Sequence, residues 1–260
     1  MSVNRNAHYW AKKNEKAMQA KVHTKEMAEK YKEEIAYSIR HTSVYTKEVK
    51  KTLCVNTTAK STVIETDSVS AVLEYGTNPD AGRVAVLNFA SYKHPGGMFI
   101  EGSIAQEECL CHESFLYNVL KEFPEYYAYN DKYKNKALYT NRALYSKDII
   151  FERDNISCKC DVITCAAPNF AAASEYCKVS KEENSKVLRE RIKFVLDIAN
   201  DNKVDTLILG AFGAGVFGQS AEEVAVIFKE LTDSGKYSFK NIVYAIISGP
   251  NVEPFKKVFA

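Results

Sequence analysis

The sequence predicts an α/β fold in which a mixed β-sheet is sandwiched between helices. Apolar segments rich in β-branched residues alternate with segments of helical periodicity along most of the chain. Glycine-rich turns follow two of the apolar segments. Neither an internal repeat nor a low-complexity linker interrupts the alternation, so residues 1–260 are expected to form a single domain.

The N-terminal part of the chain is predicted to be helical. Residues 5–36 are rich in Lys, Glu, Ala and Met and contain no Pro or Gly. Their apolar residues recur at helical spacing, which predicts one or two amphipathic helices. Acidic residues are mixed among the lysines, and this mixture favours a solvated helix face over a dedicated binding surface.

The remaining elements are predicted from periodicity and from capping residues. Predicted strands cover residues 61–66, 82–90, 147–154, 161–169, 205–213 and 240–248. Predicted helices cover residues 67–75, 107–123, 184–202 and 220–235. Asp67 and Ser220 stand where they would cap the N-termini of two helices, and Pro124 is expected to end the helix over 107–123.

Charge and hydropathy exclude several classes of protein. The 35 Lys and Arg residues nearly balance the 33 Asp and Glu residues, which argues against a dedicated nucleic-acid binder. No apolar run reaches about 18 residues, and the N-terminus has no hydrophobic signal segment. We therefore expect neither a membrane span nor a signal peptide.

The cysteines do not suggest a disulfide framework, because their number is odd and the chain is not small. A reducing cytoplasm is the expected location. Two pairs have C-x-C spacing, which differs from the usual zinc-binding spacing and favours buried thiols. The seven cysteines are Cys54, Cys109, Cys111, Cys158, Cys160, Cys165 and Cys177.

Two glycine-rich loops follow predicted strands and precede predicted helices. One contains Gly96 and Gly97, and the other covers residues 210–218 with four glycines among nine residues. Backbone N–H groups in such a loop, together with a helix N-terminus, favour a phosphate group. The second loop is not a P-loop, because no Gly-Lys-Ser/Thr follows it. The two loops are expected to converge at one edge of the sheet around a diphosphate.

Two adjacent carboxylates, Glu107 and Glu108, come at the start of a predicted helix directly after Gln106. Acidic residues in a first helical turn commonly compensate the helix dipole, and that is the structural alternative to a catalytic role. Compensation of the helix dipole does not explain the adjoining Gln106 or the upstream pair Gly96 and Gly97.

The segment "PGGMFIEGSIAQEE" (95–108) and the later "GAFGAGVFG" (210–218) resemble the signatures of the microbial-type poly(ADP-ribose) glycohydrolase family. The resemblance covers most of the chain and is densest in residues 83–118 and 206–222. It implies a macrodomain-like fold with a helical extension, residues 1–40, packed on the catalytic domain. Met98 stands where the family has the third glycine of its signature.

The resemblance implies hydrolysis of the ribose–ribose O-glycosidic bond in poly(ADP-ribose), with release of ADP-ribose. Glu108 would be the general acid and then the base, whereas Glu107 would bind hydroxyls of the same ribose. Adjacent carboxylates cannot easily flank a sugar from both faces, which favours one acid/base with a positioning neighbour. The implied substrate-binding residues are Asn88, Gly96, Gly97, Met98, Gln106, Gly213, Ala214, Gly215, Val216, Phe217 and Gly218.

This chemistry requires no cofactor and no metal, and the expected substrate is the polymer or an ADP-ribosylated protein. Alternatives are a non-catalytic ADP-ribose reader, a hydrolase of mono-ADP-ribosylated targets and a helical scaffold protein that uses residues 1–40. Glu107 and Glu108 favour an enzyme over a reader, which would not need the acid. His94 is interpreted as a loop residue, and Ser103 and Ser174 lack a partnered histidine for nucleophilic catalysis.

The sequence does not identify the residues that contact adenine. Phe170 and Tyr176 are two candidates for stacking, because the segment 165–170 ends another strand. The tyrosines at 126, 127, 129 and 133 are expected to lie in a packed surface helix or loop.

Overall fold

The computed structural model describes residues 2–46, 49 and 59–260, and in this part of the chain seven strands form one sheet. The strands are β1 (Ser43–Tyr45), β2 (Lys60–Ile64), β3 (Val84–Phe89), β4 (Ala143–Arg153), β5 (Ile156–Cys165), β6 (Thr206–Leu209) and β7 (Asn241–Ala245). The α-helices are α1 (Ser2–Lys30), α2 (Lys32–Arg40), α3 (Ser68–Gly76), α4 (Gln106–His112), α5 (Leu116–Leu120), α6 (Pro124–Lys132), α7 (Phe170–Cys177), α8 (Lys181–Asp201), α9 (Ala221–Thr232) and α10 (Val252–Phe259).

The sheet is mixed, as predicted, and its strand order is β1-β4-β5-β3-β6-β7-β2. Strand β3 pairs in parallel with β5 and β6, and β7 pairs in parallel with β6 and β2. Strand β4 runs antiparallel to both of its neighbours. Because β3 and β6 are adjacent and parallel, the loops that follow them leave the same edge of the sheet.

The sheet is buried on both faces, and β3 shows how its residues divide. Ala85 and Leu87 pack into the cluster that contains α8, α9 and α10, whereas Val84 and Val86 pack into the cluster with α1, α3, α4 and α5. A strand with two covered faces must be apolar along its whole length, which explains the continuous run at the start of β3. The prediction of a helix–sheet–helix sandwich is confirmed.

The N-terminal helices α1 and α2 pack on the domain. His23 Nε2 lies 2.9 Å from the carbonyl oxygen of Ser114, and Asn118 Nδ2 donates to the carbonyl of Thr24 across 2.9 Å. A Cβ atom on Gly102 would overlap the carbonyl of Lys13, so α1 lies directly against the backbone of the turn that precedes α4. The helical extension therefore supports the loop that contains Gly96 and Gly97.

The prediction of one helix over residues 107–123 is wrong. The helix is interrupted at Ser114, whose Oγ donates to the carbonyl of Leu110 and accepts from the amide of Leu116. Ser114 also forms an antiparallel bridge with Phe151, which pulls the chain out of the helical path. Pro124 begins α6 instead of ending a helix, since its missing N–H costs nothing in the first turn.

Other predicted bounds differ at strand ends. Strands β6 and β7 end at Leu209 and Ala245, before the residues predicted to be their last. Strands β4 and β5 form one long hairpin joined by Asp154 and Asn155, which have φ values of 51° and 65°. A two-residue turn with positive φ at both positions matches the right-handed twist of the paired strands.

Two further expectations concern membrane-spanning helices and disulfides. No helix in the described ranges is long and apolar enough to cross a membrane. Cys54 lies outside the described residues, and the other six cysteines are free thiols.

Candidate active site

An elongated cleft lies at the carboxyl edge of the sheet, where the loops after β3 and β6 meet the start of α4. One part is a cavity of about 330 Å³ between residues 66–69 and 245–251. A second part, of about 240 Å³, runs along residues 211–217. The two parts share four lining residues, Phe89, Ala105, Gln106 and Ala211.

Glu107 and Glu108 lie in the first turn of α4 and are buried, with only 3% and 6% of their surfaces exposed. Glu107 Oε1 accepts from Asn88 Nδ2 at 3.1 Å, and its Oε2 accepts from the amide of Ser91 at 2.6 Å. Glu108 Oε1 accepts from the amide of Met98 at 2.9 Å. Glu108 Oε2 is buried and has no hydrogen-bond partner within residues 2–46, 49 and 59–260.

Burial controls the charge of Glu107. It raises the pKa of Glu107 to about 8, and the neighbouring charge of Glu108 acts in the same direction. Hydrogen bonds from Ser91, Asn88 and Gly96 oppose the shift but do not outweigh burial. Burial therefore favours the protonated form of Glu107 at neutral pH.

Gly97 makes this arrangement possible because it has no side chain. Its φ is 62°, and a Cβ atom there would lie 2.5 Å from Glu108 Oε1 and 2.9 Å from Glu107 Oε2. Gly96 has a φ of 65°, and a Cβ atom on it would meet the ring of Tyr117 at 2.8 Å. The two glycines thus bring backbone against the carboxylates, where a larger residue has no room.

Met98 occupies a different conformation from the glycines before it. Its φ of −111° suits any L-residue, and 46% of its surface is exposed. Its amide holds Glu108, a contact that does not depend on the side chain. The departure from the family signature therefore leaves the hydrogen bond to the carboxylate intact.

Gln106 lines both parts of the cleft, but its amide group is used within the protein. Its Oε1 accepts from the amide of Phe89, while its Nε2 donates to the carbonyl of Leu87 and to Ser68 Oγ. These contacts join the end of β3 to the starts of α3 and α4. Gln106 therefore fixes where α4 begins and how the following carboxylates are aimed.

Asn88, near the end of β3, is completely buried beside the carboxylates. Its Nδ2 contacts Glu107 Oε1 and also Thr164 Oγ1, 3.3 Å away. Its Oδ1 finds no hydrogen-bond partner in the part of the chain that the structure describes. Two buried acceptors, Asn88 Oδ1 and Glu108 Oε2, are thus left for a ligand with hydroxyl groups.

The loop over residues 210–218 forms the wall opposite α4. Gly213 and Gly218 have φ values of 77° and 71°, and their positions lack room for a Cβ beside Ala167 and Ala171. Val216, at the tip of the loop, is 91% exposed. The loop is closed by hydrogen bonds of 3.0 Å from the amides of Ala214, Gly218 and Gln219 to loop carbonyls.

Phe217 joins this loop to an aromatic group that the sequence did not suggest. Its ring lies 6.1 Å from that of Tyr139, edge to face, and Tyr139 stacks on Tyr92 at 4.0 Å. Phe170 and Tyr176, the two candidates for adenine stacking, do not line the cleft. The walls over residues 66–69 and 245–251 were also missed, although Gly249-Pro250-Asn251 after the last strand is a turn signal.

The described residues contain no group of three or more His, Cys, Asp or Glu side chains that could hold a metal ion. Gln106 and the glycine loop line the cleft instead, and the buried carboxylates of Glu107 and Glu108 follow Gln106 directly. Such a site can bind an anion with sugar hydroxyls and can donate one proton to it.

A comparison with protein-family profiles assigns the chain to a family. A sequence profile described as the catalytic domain of microbial-type PARG matches residues 11–154, more than half of the chain. The chain belongs to the microbial-type poly(ADP-ribose) glycohydrolase family. The matched part of this glycohydrolase includes most of α1, Asn88, Glu107 and Glu108, whereas the loop over 210–218 lies beyond it.

Solved glycohydrolases have the same fold. The chain is 27% identical to poly(ADP-ribose) glycohydrolase from Thermomonospora curvata, with a TM-score of 0.82 over 94% of this chain and 99% of that chain. The same enzyme bound to the inhibitor ADP-HPD gives 27% identity, the same coverage and a TM-score of 0.80. The glycohydrolase from Deinococcus radiodurans in complex with ADP-ribose is 28% identical, with a TM-score of 0.76 over 86% of this chain and 96% of that chain.

No curated protein sequence matches the chain. The solved glycohydrolases nevertheless cover 94% of it in one case and 86% in the other. The expected macrodomain-like fold of this glycohydrolase is therefore confirmed.

Proposed function

We propose that this protein hydrolyses the ribose–ribose O-glycosidic bond of poly(ADP-ribose) and releases ADP-ribose, with Glu108 as general acid and then as base. One observation carries the proposal. The Oε2 atom of Glu108 is buried and has no hydrogen-bond partner among the described residues. Family membership supports the reaction, and the relatives that bind ADP-ribose and ADP-HPD support the ligand class.

The hydrogen bonds of the carboxyl pair leave one oxygen for a substrate. Three of the four carboxyl oxygens accept N–H groups, from Asn88, Ser91 and Met98. Oε2 of Glu108, the fourth oxygen, accepts no hydrogen bond from the described residues. This is the oxygen that is free to meet a substrate.

Hydrolysis then requires Glu108 to donate one proton and afterwards to accept one. Glu108 donates its proton to the oxygen that leaves C1″ of the terminal ribose, while positive charge develops on the ring. The resulting carboxylate takes a proton from the attacking water, which restores the acid. Glu107 accepts hydrogen bonds from hydroxyls of the same ribose and fixes its orientation.

The rest of ADP-ribose follows the cleft away from Glu108. The diphosphate lies along residues 213–218, where three glycines let the backbone approach an anion closely. The cavity of about 330 Å³ beyond it, between residues 66–69 and 245–251, takes the adenosine end. Phe217 packs against the ribose next to the bond that is cleaved.

A reader of ADP-ribose remains the alternative of a different class. It would need the glycine loop but would have no use for a buried proton beside the ribose. A hydrolase of mono-ADP-ribosylated proteins would use the same acid on a different leaving group.

A reducing compartment such as the cytoplasm is our proposal for the location of the protein, supported by six free thiols in the described part of the chain.

One experiment separates these functions. The protein is incubated with poly(ADP-ribose) and, separately, with mono-ADP-ribosylated protein, and free ADP-ribose is measured by chromatography. We expect release from the polymer. Binding of ADP-ribose without release from either substrate would favour the reader, and release from the mono-ADP-ribosylated protein alone would change the substrate assignment.

A further inference from the structure

A surface with lysine and tyrosine side chains adjoins the catalytic end of the cleft. The amide of Ser91 holds Glu107, and Gly97 lies against Glu108. Between these two contacts the chain turns outward, and the side chains of Lys93 and His94 reach the surface. A cation is therefore placed two residues from the amide that fixes a catalytic carboxylate.

Tyr92 connects this turn to the end of α6. Its hydroxyl donates to the carbonyl of Tyr133 at 3.1 Å, and its own carbonyl accepts from Asn130 Nδ2 at 2.8 Å. Its ring stacks on Tyr139, which in turn contacts Phe217 of the glycine loop. Residues that follow α6 are thereby held beside the mouth of the cleft.

The charges on this surface are unbalanced. Lys93 and Lys134 both approach the single carboxylate of Asp131, with N–O distances of 3.7 and 3.1 Å. Lys132 places its ammonium group 5.3 Å from the centre of the Tyr133 ring. Two ammonium groups thus share one carboxylate and a third lies near the Tyr133 ring, whose residue is 44% exposed.

The backbone after this surface is strained and firmly held. Asn135, Lys136, Ala137 and Tyr139 all have positive φ, between 43° and 64°. Non-glycine residues keep such conformations only where the surroundings enforce them, often near ligands. The buried guanidinium of Arg191 donates to the carbonyl of Leu138 and to Asn141 Oδ1, which fixes this segment from below.

We propose that Lys93, Lys132, Tyr133 and Lys134, here called the lysine–tyrosine patch, bind the ADP-ribose unit on the leaving side of the cleaved bond. The inference rests on the proposed function, because that function puts the terminal unit in the cleft with its C1″ at Glu108. The remaining polymer must then leave past the carboxylates, where the patch lies. Lys93 and Lys134 contact the diphosphate of the next unit, and Tyr133 stacks on its base.

The patch is tested with substrates that differ only in the leaving group. Lys93→Ala/Lys134→Ala is compared with the parent protein on poly(ADP-ribose) and on ADP-ribose O-linked at C1″ to a small aromatic alcohol. The loss of two phosphate contacts should raise KM for the polymer about tenfold and leave the small substrate unaffected. The log–log slope of polymer kcat/KM against salt should become shallower by about 1.4, or about 0.7 for each contact.

Lys229→Ala/Lys240→Ala is the matched control, since it also removes two lysines that sit near carboxylates. Lys229 lies 3.1 Å from Asp233, and Lys240 lies 2.9 Å from Asp205 at the amino ends of the strands, away from the cleft. This variant should keep the KM for polymer and its dependence on salt.

A second pair of variants tests the aromatic contact. Tyr133→Ala should raise KM for polymer only, whereas Tyr133→Phe keeps the ring and should behave like the parent. An unchanged polymer KM in the lysine double variant, or an equal loss on both substrates, would overturn the patch. A parent protein that cleaves neither substrate would instead overturn the proposed function.

Discussion

Gly97 and Glu108 are in such close contact that a Cβ atom at Gly97 would lie 2.5 Å from the Oε1 oxygen of the carboxylate. No rearrangement of a flexible side chain relieves this overlap cheaply, because Oε1 is also held by the amide of Met98. The position of the Glu108 carboxylate therefore depends on the absence of a side chain at residue 97.

Gly97→Ala should lower hydrolysis of polymer by about 10²-fold or more, since the acid is displaced from its productive position. The positive φ adds a cost of about 1–3 kcal/mol to the free energy of folding. Steady-state rates and urea denaturation measure the two effects. Gly215→Ala is the control for stability, because no atom lies within 4 Å of the added carbon. Parental activity in Gly97→Ala would show that the carboxylates are not held by this contact.

Met98→Gly should fold and retain activity, with a rate equal to that of the parent or higher. The Met98 side chain is half exposed, and the contact to Glu108 comes from its backbone amide. Removal of the side chain costs about 0.5–1 kcal/mol of stability through the greater freedom of glycine in the unfolded chain. Thermal denaturation and polymer hydrolysis check both statements. A folded but inactive Met98→Gly protein would mean that the side chain itself contacts the substrate.

The stability of the protein should depend on pH through Glu107. Its pKa of about 8 in the folded state exceeds the ordinary value of 4.5, so the folded protein holds a proton that the unfolded chain releases. This contribution is fully present below about pH 4.5 and is lost as the pH rises to about 8. In that window the contribution falls by at most about 1.4 kcal/mol per pH unit.

Glu107→Gln should remove this dependence, because glutamine does not titrate. The free energy of unfolding is measured with urea for both proteins at pH values from about 5 to about 9. The variant should become more stable relative to the parent as the pH rises. Parallel pH profiles for the two proteins would contradict the raised pKa of the buried carboxyl.

Much of the fold could be predicted from local sequence signals. Asp67 and Ser220 cap helices as expected, because capping depends on a side chain and an amide two or three residues away. The break at Ser114 could not be predicted in this way. It depends on a bridge to Phe151 from a distant part of the chain, and helical periodicity continues through the break.

The site shows the same division between local and distant signals. Glu107, Glu108 and the glycines are close in sequence and were identified from it. The role of Gln106 in joining β3 to α3 and α4 was not identified, because its partners Ser68 and Leu87 become neighbours only after the chain folds. Tyr139 was missed for a similar reason, since its contact with Phe217 joins two loops that lie far apart in sequence.

Glu108→Gln separates the catalytic role from the structural alternative. A first-turn acid that only compensates the helix dipole contributes about 0.3–1 kcal/mol to stability, and its loss would leave hydrolysis nearly intact. A general acid contributes about 10²-fold or more to the rate. Glutamine keeps the size of the side chain, and its amide oxygen can still accept from the amide of Met98, so the fold and the cleft should persist.

We therefore expect Glu108→Gln to bind ADP-ribose with a dissociation constant within about threefold of the parent, measured by calorimetry. Release of ADP-ribose from polymer should fall by about 10²-fold or more, because no other proton donor occupies this oxygen position. Glu107→Gln should weaken both binding and rate, since the amide nitrogen of glutamine cannot accept a hydrogen bond from a ribose hydroxyl. A Glu108→Gln protein that cleaves polymer at near the parental rate would place the acid elsewhere in the cleft.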